Sequence, residues 1–502
     1  MQKKIILMKK QKTNLRESSS NFSSVHKAIA FIKSNFVVIS ILVLFSIILF
    51  MYIQRTYVDV IYLDGLLQVP NIDKYFHGTL SFQDIFNNPT WSWGQHRLVG
   101  YSIIFLLNAI IFNLNMKIEP AIFMLSYIFV GAVVFLYYSR IISKNNIKKI
   151  WFDLSAITIL FTIFSLGHPP LQLMTTQFVV GTAVFVVSAI LFDKIYLRDS
   201  KKLTLVAFLA TILLYILVFS GAYFLGALFA FGVVLLHKMF IRNGNKYTRE
   251  MILAFFVPLV LIVLMSLLTR YNQDGTSLIE KLSIFIARAD ETFKALLAGL
   301  SASTLDLHTF QERLGGNQLI VLANGLLLLI IGIYCLYKFF KLKMYKITYL
   351  PLMFMIYTVT IVLITWLGGL TIGGWQWPMN EWYSFHLYFY PLGVLMIIYY
   401  MLFSKHRFDI FRHKTELIFI IFSITLIISV QLYSSAYQWR RGLDVHNWLL
   451  EKKEAILEPE GKNLKDILYL DNAQSLKAIT VLEKYHLSVF RLQKDHDKND
   501  KH

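Results

Sequence analysis

Long apolar runs constrain this chain before anything else does. Stretches such as Phe36–Ile53 and Tyr349–Leu367 recur from end to end, with charge largely confined to the connections between them. A helix of about 18–20 residues crosses a hydrocarbon core of roughly 30 Å. Of 502 residues, 56% are hydrophobic and only 16% charged, more apolar surface than a water-soluble fold of this size could bury. The chain therefore reads as an all-α polytopic membrane protein.

The net charge of +19 could point to a nucleic-acid partner. The basic residues instead gather in short connections: SRIISKNNIKK, DKIYLRDSKK, HKMFIRNGNK, KFFKLKMYK and SKHRFDIFRHK. That is the positive-inside pattern of cytoplasmic loops, not a nucleic-acid footprint. The single cysteine, Cys335, lies in an apolar run, which excludes an intrachain disulfide or a cysteine metal site. Residues 1–35 are polar and basic and read as the cytoplasmic end of an uncleaved signal anchor.

One run decides the topology. If Leu98–Leu114 crossed the membrane, every later basic loop would fall outside; lying in the interface, it leaves all five inside. The spans are then Phe36–Ile53, Pro120–Tyr138, Trp151–Leu166, Thr176–Leu191, Leu203–Ser220, Gly221–Leu236, Met251–Leu268, Leu319–Tyr337, Tyr349–Leu367, Leu387–Leu402 and Leu417–Val430. This gives about eleven crossings, within a range of roughly 10 to 13, in a membrane domain over 36–433. The N-terminus is inside and the C-terminus outside.

Four segments then face outward. Residues 54–118 form the long first loop, and GHPPLQLMTTQ is short. Residues 270–317 carry an amphipathic stretch, SLIEKLSIFIARADETFKALLAGL, expected to lie on the membrane surface. Residues 368–386 are rich in glycine and tryptophan. A tail over 434–502 reads as a small soluble appendage. It has helices around Asp444–Ile456 and Ala473–Tyr485 and a closing HLSVF, and is expected to dock on the outer face without carrying catalysis.

Chemistry concentrates in the first loop, which holds Asp59, Asp64, Asp73, Asp84, Trp91, Trp93 and the His96–Arg97 pair. Asp64 sits in YLDGLL, where partial burial would raise its carboxyl toward a useful general base; otherwise the loop acids are simply solvated. A carboxylate here could also hold a divalent cation, Mg or Mn, against a phosphate. Arg97 offers a planar fork suited to phosphate and His96 a further donor, or the pair anchors the interface. Trp375, Trp377 and Trp382 make either an aromatic belt or a sugar platform beside Glu381, with Gly373-Gly374 shaping a turn. The span cores carry almost no charge, Asp153 and Asp193 lying near cytoplasmic ends, which argues against an ion-coupled transporter.

The first loop runs Asp64, Pro70, Lys74-Tyr75, Gly78-Thr79-Leu80, Asp84 and His96-Arg97. It resembles the opening loop of bacterial GT-C-class integral-membrane glycosyltransferases, D-x-W-x-x-x-P…KY…GxL…L…HNEHR, and the closing LEKYHLSVF resembles their C-terminal end. Leu66 stands where that pattern has Trp, Gly94-Gln95 where it has Asn-Glu, and Glu381-Trp382-Tyr383 where it has Ser-Arg-Tyr. The resemblance implies sugar transfer from a polyprenyl-phosphate donor on the outer face of the bacterial cytoplasmic membrane. The acceptor would be a cell-envelope glycan such as a teichoic acid or wall polysaccharide. Asp64 would be the catalytic carboxylate, with Asp59 the alternative; His96 and Arg97 would hold the donor phosphate; Glu381, Trp375, Trp377, Trp382 and Tyr383 would line the sugar site. A polyprenyl-phosphate glycosyltransferase and a flippase are the partners such an enzyme needs. The other readings are a transporter or flippase for a lipid-linked saccharide, and a non-catalytic partner in envelope polysaccharide assembly.

Overall fold

The computed structural model describes residues 32–33, 35–61, 64–86, 99–143, 158, 173–197, 202–218, 223–240, 252–253, 255–260, 278–369, 374–380, 383–403 and 414–491. Every regular element among them is helical. Seven helices among the described residues are long and apolar enough to cross a membrane. The expected spans Trp151–Leu166 and Met251–Leu268 fall largely outside the described residues.

The chain enters through α1 (Phe36–Thr56), then forms α2 (Asp64–Phe76), α3 (Phe82–Phe86) and α4 (Val99–Phe112). Helices α5 (Ile118–Ser143), α6 (Leu173–Tyr196), α7 (Lys202–Val218) and α8 (Tyr223–Phe240) follow. At 14 residues α4 is about 21 Å long, short of a hydrocarbon core. It is tied to α2 instead, through Ser102 Oγ donating to Gln68 Oε1 at 3.0 Å.

The amphipathic stretch breaks at Arg288 into α9 (Leu278–Ala287) and α10 (Ala289–Ala302). The expectation of one surface-lying helix meets a different arrangement, because α10 is built into the bundle. Residues 297–302 are all buried. Small side chains permit this close approach: a Cβ on Gly325 of α11 (Gln318–Lys341) would stand 2.0 Å from the Leu297 carbonyl oxygen. A Cβ on Gly299 would likewise meet Val362 of α12 (Leu350–Gly369) at 2.4 Å.

A 3₁₀ turn (Gly374–Met379) and the short α13 (Ser384–Leu387) lead into α14 (Phe389–Phe403), whose residues 389–401 are all buried. Around it the core is aromatic, with Phe185 stacked on Tyr357 at 3.7 Å and Phe192 on Phe231 at 4.7 Å. Then α15 (Lys414–Leu457) runs unbroken for 44 residues, about 66 Å, twice what a membrane requires. The span Leu417–Val430 and the tail helix around Asp444–Ile456 are thus one rod.

Helices α16 (Leu464–Leu468) and α17 (Asn472–Lys484) and a turn (Ser488–Phe490) follow in the described part of the tail. Asp471 caps α17 by accepting from the Gln474 N–H at 3.0 Å. The tail docks on the first loop. Leu449, Leu464, Leu468, Leu482 and Phe490 share one core with Val58, Val60, Ile61, Leu66, Val69, Ile72 and, from α4, Tyr101 and Phe105. First loop and tail together make a single lobe.

Candidate functional site

The first loop owes its shape to its caps. Helix α2 ends in a Schellman turn, with the Thr79 N–H donating to the Lys74 carbonyl at 2.9 Å and the Gly78 N–H to Tyr75 at 3.0 Å. Gly78 takes a φ of +67°, which explains the glycine. Ser81 and Asp84 then form a reciprocal capping box at the start of α3: the Ser81 N–H reaches Asp84 Oδ2 at 2.8 Å and the Asp84 N–H reaches Ser81 Oγ at 3.3 Å. Lys74 Nζ closes the motif on Asp84 Oδ1 at 2.6 Å. That bond, with those from Ser81, holds the Asp84 carboxyl down at about 2. The residues Lys74, Gly78, Thr79 and Asp84, which carried much of the resemblance, are therefore helix punctuation.

Two further acids, Asp73 and Asp59, are anchored to the tail. Asp73 accepts from the Tyr485 hydroxyl at 3.0 Å and Lys484 Nζ at 3.3 Å, while Phe76 stacks on Tyr485 at 4.4 Å. Burial pulls the Asp73 carboxyl up, but the bonds from Tyr485 and Lys484 outweigh it and leave the group below its ordinary range. Asp59 accepts the Met116 N–H on one oxygen at 3.1 Å and Arg491 on the other. With both oxygens engaged, Asp59 is a tether and a poor cation ligand. Among the described residues no group of three or more His, Cys, Asp or Glu is placed to hold a metal ion.

Asp64 is the first residue of α2, immediately beyond the segment that leaves α1. His96, Arg97, Trp91, Trp93, Glu381 and Trp382 lie outside the described residues. Trp377 and Tyr383 do come together: the indole N–H donates to the Tyr383 hydroxyl at 3.1 Å, and burial pushes that hydroxyl up to about 12. The Trp377 ring sits over Gly369, where a Cβ would stand 1.9 Å from it, so part of this ring is committed to packing. Trp375 leans on the cluster of Ala298, Ala302 and Phe310.

Three features escaped the sequence reading. Glu119, on the first turn of α5, is only 2% exposed. It lies near Tyr57, whose hydroxyl is driven above its ordinary range by burial, by Asp59 and, to a smaller degree, by Glu119. Its sequence signal was an acid directly ahead of Pro120 at the head of a span. Second, His386 is buried within the bundle: Nδ1 lies 2.6 Å from the Tyr357 hydroxyl, Tyr223 stacks on the ring at 4.3 Å, and the Tyr215 hydroxyl is 3.4 Å from that of Tyr357. The interior of the bundle is thus less free of ionisable groups than the span cores suggested.

The third feature is a π-helical turn over Thr309–Arg313, a geometry that favours functional positions. His308 Nδ1 lies 3.3 Å from Glu312, which also meets Arg441 Nε at 3.6 Å and accepts from the Tyr437 hydroxyl. The spacing of four between His308 and Glu312 was its signal. Burial and the Arg441 charge press the His308 imidazole down to about 4. It stays neutral near pH 7, suited to hydrogen bonding rather than proton removal. Behind it Asp306, 3% exposed, accepts from the Thr309 N–H at 2.8 Å and Gln438 Nε2 at 2.7 Å. Burial raises the Asp306 carboxyl, against those bonds. No family model matches this chain, and no curated protein or solved structure is significantly similar to it.

Proposed function

We propose that this chain is a GT-C-like membrane glycosyltransferase. It would transfer a sugar from a polyprenyl-phosphate donor to a cell-envelope glycan, a teichoic acid or wall polysaccharide, at the outer face of the bacterial cytoplasmic membrane. About eleven crossings, N-terminus inside and C-terminus outside, complete the reading. The observation that supports it best is the lobe: the loop bearing Asp64 is held by an apolar core and by the tail, directly where α1 ends. A catalytic carboxylate needs such a fixed mount, since small misplacements of a base cost large factors in rate. Asp64 acts as general base toward the acceptor hydroxyl, His96 and Arg97 hold the donor phosphate, and Glu381 with Trp375, Trp377, Trp382 and Tyr383 contacts the sugar.

Asp64→Asn preserves shape and removes basicity, and general-base catalysis supplies about 10²–10⁴-fold in rate. Transfer of labelled sugar from polyprenyl-phosphate donor, in membranes holding each variant at matched abundance, should drop by about that factor. Wild-type turnover in Asp64→Asn would remove this residue from the chemistry.

The buried His386–Tyr357–Tyr215 group favours a second reading, transport of a lipid-linked saccharide, because ionisable groups inside a helix bundle mark polar pathways. Movement of such a saccharide across reconstituted vesicles, with no sugar transfer, would replace the first reading with this one.

A further inference from the structure

The closing LEKYHLSVF segment has no part in the proposed chemistry, yet it is fastened to the first loop at every turn. Leu487, Val489 and Phe490 are buried in the same core as Val58, Val60, Ile61 and Met116. The Ser488 N–H donates to the Asn113 carbonyl at 3.1 Å. Arg491 bonds Asp59, 432 positions away, whose other oxygen receives the Met116 N–H. One carboxylate thus joins three stretches of chain: the exit of α1, the turn before α5 and the tail at Arg491.

The backbone at this junction is forced. Asn113, Leu114, His486 and Ser488 all hold positive φ, between +50° and +54°, on the two segments that hydrogen-bond to each other. Leu114 is fully buried in that conformation, which a bulky side chain rarely adopts. Such conformations persist only where the surroundings over-determine them, and they gather where geometry matters to function. Asp59 itself forms the corner of a tight turn, its flanks joined by the Val60 N–H to the Val58 carbonyl at 2.9 Å. Five positions later the chain reaches Asp64.

We infer that Arg491 is a positioning residue, which acts through Asp59 to fix the stretch 57–61 that precedes Asp64. The tail then completes the catalytic loop instead of standing beside it. The inference rests on the transferase reading of Asp64 for its catalytic consequence, but not for its structural one. The test compares full-length Arg491→Gln, Arg491→Lys, Asp59→Asn and the Asp59→Asn/Arg491→Gln double variant. Arg491→Gln should lower kcat by about tenfold with donor KM unchanged, since groups are displaced from the reacting geometry while donor contacts remain. Arg491→Lys, which keeps a cation within reach of Asp59, should recover most of the rate. The double variant should be no worse than the poorer single one. Amide hydrogen exchange should quicken at 57–61 and 113–118 in Arg491→Gln and stay unchanged in α14. Additive losses, or unchanged exchange at 57–61, would overturn the inference. Should the wild type transfer no sugar, the transferase reading fails while the exchange measurement still decides whether the strap holds this segment.

Discussion

The lobe of first loop and tail and the helix bundle solve the same problem with different means. In the bundle the helices are held by shape: stacked rings at Phe185–Tyr357 and Phe192–Phe231, glycine notches at Gly325 and Gly393 that let backbones touch, and one at Gly299 that admits the Val362 side chain. The lobe is held by an apolar core together with directed polar bonds, namely Asp59–Arg491, Asp73–Tyr485, Lys74–Asp84 and the Schellman and capping-box turns. The contrast follows from solvent. Among lipid tails the hydrophobic effect gives no preference for one helix face over another, so packing must choose the partner. In the lobe, burial of apolar surface drives collapse, and polar bonds then select the register.

That comparison can be broken most severely at the tail. Truncation after Gly442 removes Val445, Leu449, Leu464, Leu468, Leu482, Phe490 and seven more buried residues, about half of the lobe's core, and leaves the bundle's core intact. Limited proteolysis should then cut the first loop within 57–86 at a rate typical of unfolded chain while α11–α14 stay protected. A still-resistant first loop would show that the lobe does not depend on the tail.

Two glycines sharpen the contrast at single positions. Gly325→Ala would push a methyl carbon into the Leu297 backbone at 2.0 Å, where no side chain can yield. Overpacking of this kind costs about 1–3 kcal/mol, and this site belongs at the upper end. Gly78→Ala meets no atom within 4 Å, so its penalty is the left-handed backbone alone, about 1 kcal/mol. Thermal denaturation in detergent should rank them in that order, and equal losses would deny that packing dominates in the bundle.

The smallest expected effect is on pH dependence where bundle and lobe meet. His308 is pressed to about 4 in the folded protein by burial and Arg441, against an unfolded imidazole near 6.5. Between those values the unfolded chain binds more protons than the folded one, so stability rises with pH across that window. Opening of 303–313, followed by hydrogen exchange, should therefore be easier at pH 5 than at pH 7.5, and His308→Gln should flatten the difference. An unchanged slope in His308→Gln would assign the dependence to another group.

Much of the bundle was legible because apolar periodicity and length are local properties: α1, α5, α8, α11, α12 and α14 stand where the runs placed them. The helix α17 is equally local, and stands where the sequence suggests one around Ala473–Tyr485. The single rod α15 was not legible. Gln431, Ser434 and Gln438 interrupt its apolar run at the point where the sequence suggests an end. They are polar because they serve the buried turn at 303–306: Gln438 donates to Asp306 and Ser434 donates to the Thr304 carbonyl at 3.2 Å.

What the sequence by itself determined is the class of protein and the position of most of its long helices, since each follows from the side chains within one run. The tertiary structure alone decided which distant segments meet. Asp59 finds Arg491 across 432 positions, α10 enters a notch prepared by Gly325, and an acid at 119 or a histidine at 386 becomes buried only because other helices cover it. Neither the charge pairing nor the burial is written in any local window, because both depend on contacts that exist only after the chain has closed on itself.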